Sequence, residues 1–126
     1  MTAAAAYAST EYWDARYKLD PAPFDWYCRW ASCEPFRAAV SRHVGAADRV
    51  LIAGAGSSRL SEEMAADGFE RLVNVDWSGV AVERSAARHV GPLSKIQPMQ
   101  ADVTALSDLA DASFDAIIDK ATLDCL

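Results

Sequence analysis

The sequence predicts an α/β protein whose parallel β-sheet is flanked by helices. Two observations support this: short continuous apolar runs, and their alternation with amphipathic stretches that end at glycine. A short apolar run favours a strand that is buried on both faces, as in a parallel sheet. Alternating strands and helices favour right-handed crossovers within such a sheet. The 126 residues correspond to about one domain.

The first half of the sheet is predicted around two apolar runs. The segment "CEPFRAAVSRHV" has helical spacing and ends before Gly45, and "DRVLIAGAG" follows as a buried strand. A helix is predicted over "SSRLSEEMAADGF", with Ser57 or Ser58 as its N-cap and Gly68 closing it. The second strand is predicted over "RLVNVD".

The remaining segments predict one more helix and two more strands. The helix covers "SGVAVERSAARHVG", and the third strand covers "SKIQPMQAD". Pro98 lacks an N–H donor, so this strand is expected to be irregular or to lie at an edge. The stretch "LSDLADAS" is expected to be a loop or a short helix, and "FDAIID" is the fourth strand.

Composition excludes several classes of function. The net charge of −6 without a basic run argues against a nucleic-acid surface. No apolar run approaches the ~20 residues of a membrane span. The three cysteines lack CxxC spacing, so we expect free thiols and no metal site. The start, "MTAAAAYAST", lacks the features of a targeting signal, and we expect a disordered segment over residues 1–10 of a cytoplasmic protein.

An aromatic segment, "EYWDARYKLDPAPFDWYCRW", follows that start. It is either an N-terminal helix and turn packed onto the core or a lid that covers a ligand. We therefore divide the rest of the chain into an aromatic N-terminal lid and helix over residues 11–45 and a ligand-binding domain over residues 46–126.

Small and acidic residues follow the predicted strands, at Gly54-Ala55-Gly56, Asp76, Asp102 and Asp119. Sheets of this kind bind ligands at the carboxyl ends of their strands. Glycine allows a ligand to approach the backbone closely, and a carboxylate 20 residues after Gly56 can accept hydrogen bonds from ribose hydroxyls. Each feature alone also has a structural interpretation, a tight turn or a helix N-cap, but the combination favours an adenosine-type ligand.

Arg59 indicates which ligand this is. It occupies the position of the third glycine in the dinucleotide-binding fingerprint, where glycine permits close helix packing near a pyrophosphate. A ligand without phosphate, held by its adenine, its ribose and an amino-acid tail, fits the loop better. S-adenosylmethionine is such a ligand, and a nicotinamide-dependent oxidoreductase is the less favoured alternative.

The motifs "EYWDARY", "PFDWY", "GAGSSRLSEEM", "NVDWS", "DVTAL" and "SFDAIIDKATLDCL" resemble, in this order, one branch of the class I S-adenosylmethionine-dependent methyltransferases. That branch contains the lysine methyltransferases of translation elongation factor 1-alpha and their methyltransferase-like relatives. The resemblance implies a Rossmann-like sheet, strands 1–4 of the class I fold, with S-adenosylmethionine as cofactor and a protein lysine as acceptor. The charge and the apolar runs described above predict neither nucleic acid nor a membrane as a partner.

The resemblance also implies roles for single residues. Gly54, Gly56 and Ser58 would hold the methionine end of the cofactor. Asp76 would hold the ribose hydroxyls, and Trp77 would lie against the adenine.

Further implied contacts lie on the later strands and on the aromatic segment. Asp102 and the Val103 amide would read the adenine edge, and Asp119 and Lys120 would lie near the reacting sulfonium. The lid would close over the cofactor through four residues: Trp13, Arg16, Tyr17 and Trp26. No residue is assigned a catalytic role, and no nucleophile–base pair indicates covalent catalysis.

The chain departs from the family pattern in three ways. Its loop reads Gly54-Ala55-Gly56-Ser57-Ser58 where the family usually has Gly-Cys-Gly-Asn-Ser, and serine keeps a hydrogen-bonding side chain there. Ala121 stands where the family has glycine in its "DKGTLD" motif, which would weaken the site if the position requires a positive φ. The chain also stops after the fourth strand. The family's strand order is 3-2-1-4-5-7-6, so only 3-2-1-4 is expected here and strand 4 would be an exposed apolar edge. We expect a truncated product, or a partner chain or second copy that covers strand 4. A non-catalytic subunit that acts as a structural or interaction module is therefore the alternative function.

Overall fold

The computed structural model describes residues 6–126. Four strands and four α-helices are joined by turns and three short 3-10 helices. In chain order the strands and α-helices are α1 (Thr10–Leu19), α2 (Glu34–Ser41), β1 (Arg49–Ala53), α3 (Leu60–Ala66), β2 (Arg71–Asp76), α4 (Gly79–Arg88), β3 (Gln97–Gln100) and β4 (Ala116–Asp119).

The four strands form one parallel sheet in the order β3-β2-β1-β4. This confirms the predicted α/β class and the strand order that the resemblance implied. Strand β1 lies between β2 and β4, with Ala53 in register with Val75 on one side and Asp119 on the other. The carboxyl ends of all four strands therefore lie on the same side of the sheet.

Strand β3 is an edge strand and contains Pro98, as predicted. At that edge the missing N–H of proline removes no hydrogen bond that the sheet needs. The segment predicted as a loop or short helix, "LSDLADAS", is a series of turns.

The helix caps agree in part with the predictions. Gly68 follows α3 with a φ of 103°, as expected of a residue that closes a helix. The N-cap of α3 is Arg59, so the assignment of this position to Ser57 or Ser58 was wrong. The helix begins at Leu60, so Ser58 lies one residue before the N-cap. Its hydroxyl nevertheless accepts a hydrogen bond from the Leu60 amide at 3.0 Å.

Two apolar clusters cover the two faces of the sheet. On one face, side chains of α2 and α3 pack with Trp30 against the sheet. On the other, Leu51, Val73 and Val75 are covered by side chains of residues 99–114, which contain no helix. Ile117, in register with Leu51 on this second face, remains 65% exposed.

The N-terminal region packs from Tyr7 onward. The Trp13 indole N–H donates to the Tyr7 carbonyl at 2.8 Å, and the two rings lie 5.4 Å apart. Residues 1–10 were expected to be disordered. Residues 1–5 lie outside the described residues, whereas the Tyr7 ring packs against Trp13. No helix within residues 6–126 is long and apolar enough to cross a membrane.

The turn after β4 holds Ala121 in a backbone conformation that is unfavourable for alanine. Ala121 has a φ of 73°, in the left-handed region that glycine adopts without steric cost. The substitution of alanine for the family's glycine therefore introduces local strain, which follows from the clash of Cβ with the neighbouring carbonyl oxygen.

We expect Ala121→Gly to raise the free energy of unfolding by about 0.5–1 kcal/mol, because it relieves this strain. Urea denaturation of both proteins measures the change. The control is Ala86→Gly within α4, where the same substitution should destabilise by about 1 kcal/mol. A loss of stability at both positions would contradict the assigned strain.

Candidate functional site

A cavity of about 210 Å³ opens at the carboxyl ends of the strands. Its floor is formed by the loop after β1, the turn after β2, residues 101–103 after β3 and the turn after β4. Its wall is formed by Tyr7, by residues of α1 and by the segment after α1 up to Trp26. Twelve of the thirteen residues predicted for the site line this cavity: Trp13, Arg16, Tyr17, Trp26, Gly54, Gly56, Ser58, Asp76, Trp77, Asp102, Val103 and Lys120.

The loop after β1 requires its two glycines. Gly54 and Gly56 have φ values of 62° and 52°. A Cβ at Gly54 would collide with the Thr122 side chain, and one at Gly56 would lie 2.5 Å from the Tyr17 hydroxyl. The loop backbone is thus held against both the β4 turn and α1, and bare backbone faces the cavity.

Asp76 is a buried carboxylate at the end of β2, with 7% of its surface exposed. Its two oxygens accept hydrogen bonds from the Gly56 and Ser78 amides, each at 2.9 Å. Burial raises the pKa of Asp76 above its ordinary value of 3.8, with a contribution from the Asp14 carboxylate, despite the lowering effect of the amide hydrogen bonds. The side chain therefore fixes the glycine loop and presents its remaining acceptor capacity to the cavity.

The aromatic segment forms the wall through cation–π and stacking contacts. Trp13 and Tyr17 are stacked at 5.8 Å between ring centroids. The Arg16 guanidinium lies over three rings, 5.3 Å from Trp13, 5.8 Å from Phe24 and 5.0 Å from Trp26. Trp13 is a buried core residue and also lines the cavity, so the segment packs onto the core, and its role as a lid stays a prediction.

The loop after β3 places an exposed acid, Asp102, at the cavity. The Asp102 carboxylate accepts hydrogen bonds from the Thr104 amide at 2.8 Å and the Thr104 hydroxyl at 2.6 Å. These two bonds hold the pKa of Asp102 below its ordinary value, so it is ionised at neutral pH. Asp102 and Val103 thus place a carboxylate and a backbone amide at the end of the cavity next to Trp77.

Asp119 is the one predicted site residue that does not line the cavity, and its predicted position near the reacting sulfonium stays a prediction. Its carboxylate turns back and accepts hydrogen bonds from the Thr122 amide at 2.9 Å and the Leu123 amide at 3.1 Å. These bonds cap the short 3-10 helix Leu123–Cys125, which explains the orientation. Lys120 does line the cavity, but its ammonium donates to Asp25, Trp26 and Cys28.

Two acidic residues that sequence reasoning did not single out join the aromatic segment to the floor. Asp14 of α1 accepts from the Ser78 hydroxyl at 2.5 Å, and Asp25 accepts from Ser58 and Lys120. Both lie inside the quoted motifs "EYWDARY" and "PFDWY". Their acidity within otherwise aromatic stretches was the only sequence signal available.

Within residues 6–126, no group of His, Cys, Asp and Glu side chains could hold a metal ion. His89 ends α4 and faces Glu62 at 3.3 Å, away from the cavity. Burial raises the pKa values of the Tyr17 hydroxyl and the Cys125 thiol, both of which line the cavity, so both stay protonated at neutral pH.

Comparisons with known proteins agree with this geometry. Residues 51–126 match the family model "Methyltransferase domain". The chain is 37% identical over 123 residues to mouse EEF1A lysine methyltransferase 4, covering 95% of the chain and 46% of the relative. It is 32% identical over 122 residues to the eEF1A lysine and N-terminal methyltransferase homolog of Drosophila melanogaster, covering 95% of the chain and 17% of that protein.

A solved structure is also similar. It was determined in work on the conversion of a disulfide bond into a thioacetal group during echinomycin biosynthesis. It matches with a TM-score of 0.60 and 25% identity over 88% of this chain and 47% of its own. The chain thus spans about half the length of the mouse relative and of this structure. Because the family model matches more than half of the chain, the chain belongs to the methyltransferase-domain family.

Proposed function

We propose that the cavity binds S-adenosylmethionine and that the chain forms the cofactor-binding part of a protein-lysine methyltransferase. The observation that carries this proposal is the convergence of a buried carboxylate, two glycines of positive φ and an aromatic wall on one cavity. An elongation factor 1A is the proposed acceptor, because the mouse relative is named as an EEF1A lysine methyltransferase.

The residues of the cavity match the chemical groups of this cofactor. The loop from Gly54 to Ser58, which lines the cavity, suits the charged methionine end, since neither Gly54 nor Gly56 carries a side chain of its own. Asp76 suits the two ribose hydroxyls, which donate to a carboxylate. Trp77 suits the adenine face, and Asp102 with Val103 suits its edge.

When bound, S-adenosylmethionine supplies a methyl group already activated on a sulfonium, which a neutral lysine amine takes by forming a C–N bond as the C–S bond breaks. The chain's contribution is to hold the donor and to exclude water. Trp13, Tyr17 and Trp26 exclude water by covering the wall. No general base is needed at the reacting carbon, and none is assigned among the described residues.

The non-catalytic alternative is not favoured, because the similarity to named lysine methyltransferases covers 95% of the chain. We place the protein in the cytoplasm, on the ground that the proposed acceptor is a translation factor. We also propose that another polypeptide segment, from a partner chain or a second copy, covers β4, where Ile117 is 65% exposed.

We expect this chain to bind S-adenosylhomocysteine, and Asp76→Ala to weaken binding at least about tenfold, since two hydrogen bonds to a charged acceptor would be lost. Isothermal titration calorimetry measures both affinities. Asp48→Ala is the control, because Asp48 also accepts from a backbone amide (Gly45, 2.8 Å) but lies outside the cavity. Absence of binding by the unmodified, folded chain would contradict the proposal.

The affinity is also expected to depend on pH through Asp76. Its pKa is raised in the free protein by burial, so it takes up a proton at a higher pH than an ordinary aspartic acid does. The protonated form must lose that proton to accept two hydroxyl donors. The affinity for S-adenosylhomocysteine should therefore be constant near neutrality and fall as the pH decreases through the raised pKa.

Calorimetry from about pH 8 to about pH 3.9 checks this. Asp76→Asn should bind weakly and without this pH dependence. An affinity that stays constant down to the pH at which an ordinary aspartate titrates, about 3.9, would contradict the role of Asp76.

The acceptor is tested separately by methyl transfer. The protein is incubated with S-adenosylmethionine and recombinant elongation factor 1A, and lysine methylation is mapped by mass spectrometry. We expect a mass increase of one or more methyl groups on a lysine with the unmodified protein, and a strong decrease with Asp76→Ala. Cofactor binding without transfer to any lysine of this acceptor would contradict the proposed substrate but not the proposed cofactor.

A further inference from the structure

Lys120 places an ammonium group beside the cavity, yet this group is fully occupied by the protein. It donates to the Asp25 carboxylate at 3.1 Å and to the carbonyls of Trp26 and Cys28 at 2.7 Å each. An ammonium has three N–H donors, so none remains for a ligand. The positive charge of Lys120 nevertheless remains at the cavity wall.

Asp25 is the only carboxylate within ion-pair distance of Lys120 among the residues the structure describes. The Asp25 side chain is 5% exposed and that of Lys120 is 10% exposed, so water screens this pair weakly. Asp25 also accepts from the Ser58 hydroxyl and from the Arg59 amide. One carboxylate thus joins the aromatic segment, the loop after β1 and the turn after β4.

The charge state of Asp25 follows from these contacts. Burial raises the pKa of Asp25, but hydrogen bonds from Ser58, Lys120 and Arg59 outweigh burial and hold the pKa below 3.8. Asp25 and Lys120 therefore form a neutral pair at neutral pH. Without the carboxylate, the cavity wall would carry an uncompensated positive charge.

The proposed cofactor is itself positive at its sulfur, whereas its product is neutral there. We propose that Asp25 is a positioning residue that acts electrostatically, because it neutralises Lys120 and so lets the cavity accept a sulfonium cation, while it also holds Ser58 in the cofactor-binding loop. This inference rests on the proposed function. An electrostatic role of Asp25 differs from a purely structural one, because it predicts that Asp25 changes the relative affinity for two ligands that differ by a methyl group and a charge.

The test is the ratio of two dissociation constants, that of S-adenosylmethionine divided by that of S-adenosylhomocysteine. Asp25→Asn preserves the shape of the side chain and removes its charge. Repulsion by the uncompensated Lys120 should raise the ratio about tenfold in this variant, measured by calorimetry at low salt. A purely structural role would weaken both ligands by the same factor and leave the ratio unchanged.

Two further variants complete the design. In Asp25→Asn/Lys120→Met both charges are removed, and the ratio should return to that of the unmodified protein. Glu63→Gln is the matched control, because Glu63 pairs with Arg29 of the same N-terminal segment but does not line the cavity. It should leave the ratio unchanged.

If circular dichroism shows that Asp25→Asn does not fold, Lys120→Met replaces it in the test, and the expected change in the ratio is the opposite one. It leaves Asp25 negative, so the ratio should decrease. An unchanged ratio in the folded variants would overturn the role of Asp25 and leave the proposed function standing. Failure of the unmodified protein to bind either ligand would instead overturn the proposed function, and this inference with it.

Discussion

The site depends on the parallel pairing of β1 with two neighbours at once. Val50, Leu51 and Ile52 are at most 3% exposed, so β1 lies in the centre of the sheet with side chains packed on both faces. Because both pairings are parallel and in register at Ala53, the residues that follow β1, β2 and β4 emerge side by side. Burial of three large aliphatic side chains stabilises this arrangement by several kcal/mol before opposing entropy is counted.

Polar contacts then attach the aromatic segment to that edge. Asp14 binds Ser78 on the side of β2, and Asp25 binds Ser58 and Lys120 on the side of β1 and β4. A buried ion pair is weak evidence for stability, because desolvation offsets most of the attraction. These contacts fix the position of the aromatic segment relative to the loop after β1 and to the turns after β2 and β4.

The elements were predictable where local pattern decides structure. The apolar runs indicated β1, β2 and β4, and Pro98 indicated an edge strand for β3. The strand order came from the resemblance to a family, because periodicity alone does not specify which strands are neighbours. That Asp76 and the two glycines line one cavity was predictable from their position after strands.

Side-chain partners were not predictable in the same way. Asp119 lies at a strand end, as Asp76 does, but its carboxylate accepts hydrogen bonds from backbone amides of the turn that follows. Asp25 is 95 positions from Lys120 in sequence, so only the fold reveals their pairing. The family's glycine indicated a positive φ at Ala121, but only the backbone conformation establishes it.

The central claim is that a single ligand contacts the loop after β1, the ends of β2 and β3 and the aromatic wall together. Amide and indole chemical shifts in a two-dimensional NMR titration with S-adenosylhomocysteine test this directly. We expect shifts in the backbone amides of the loop after β1 and of the ends of β2 and β3, and in the indole N–H groups of the wall: Gly54, Gly56, Trp77, Val103, Trp13 and Trp26. The amides of residues 46–49, at the amino end of β1, should not shift. Saturating shifts confined to one strand end, or shifts that include the amino ends of the strands, would contradict the claim.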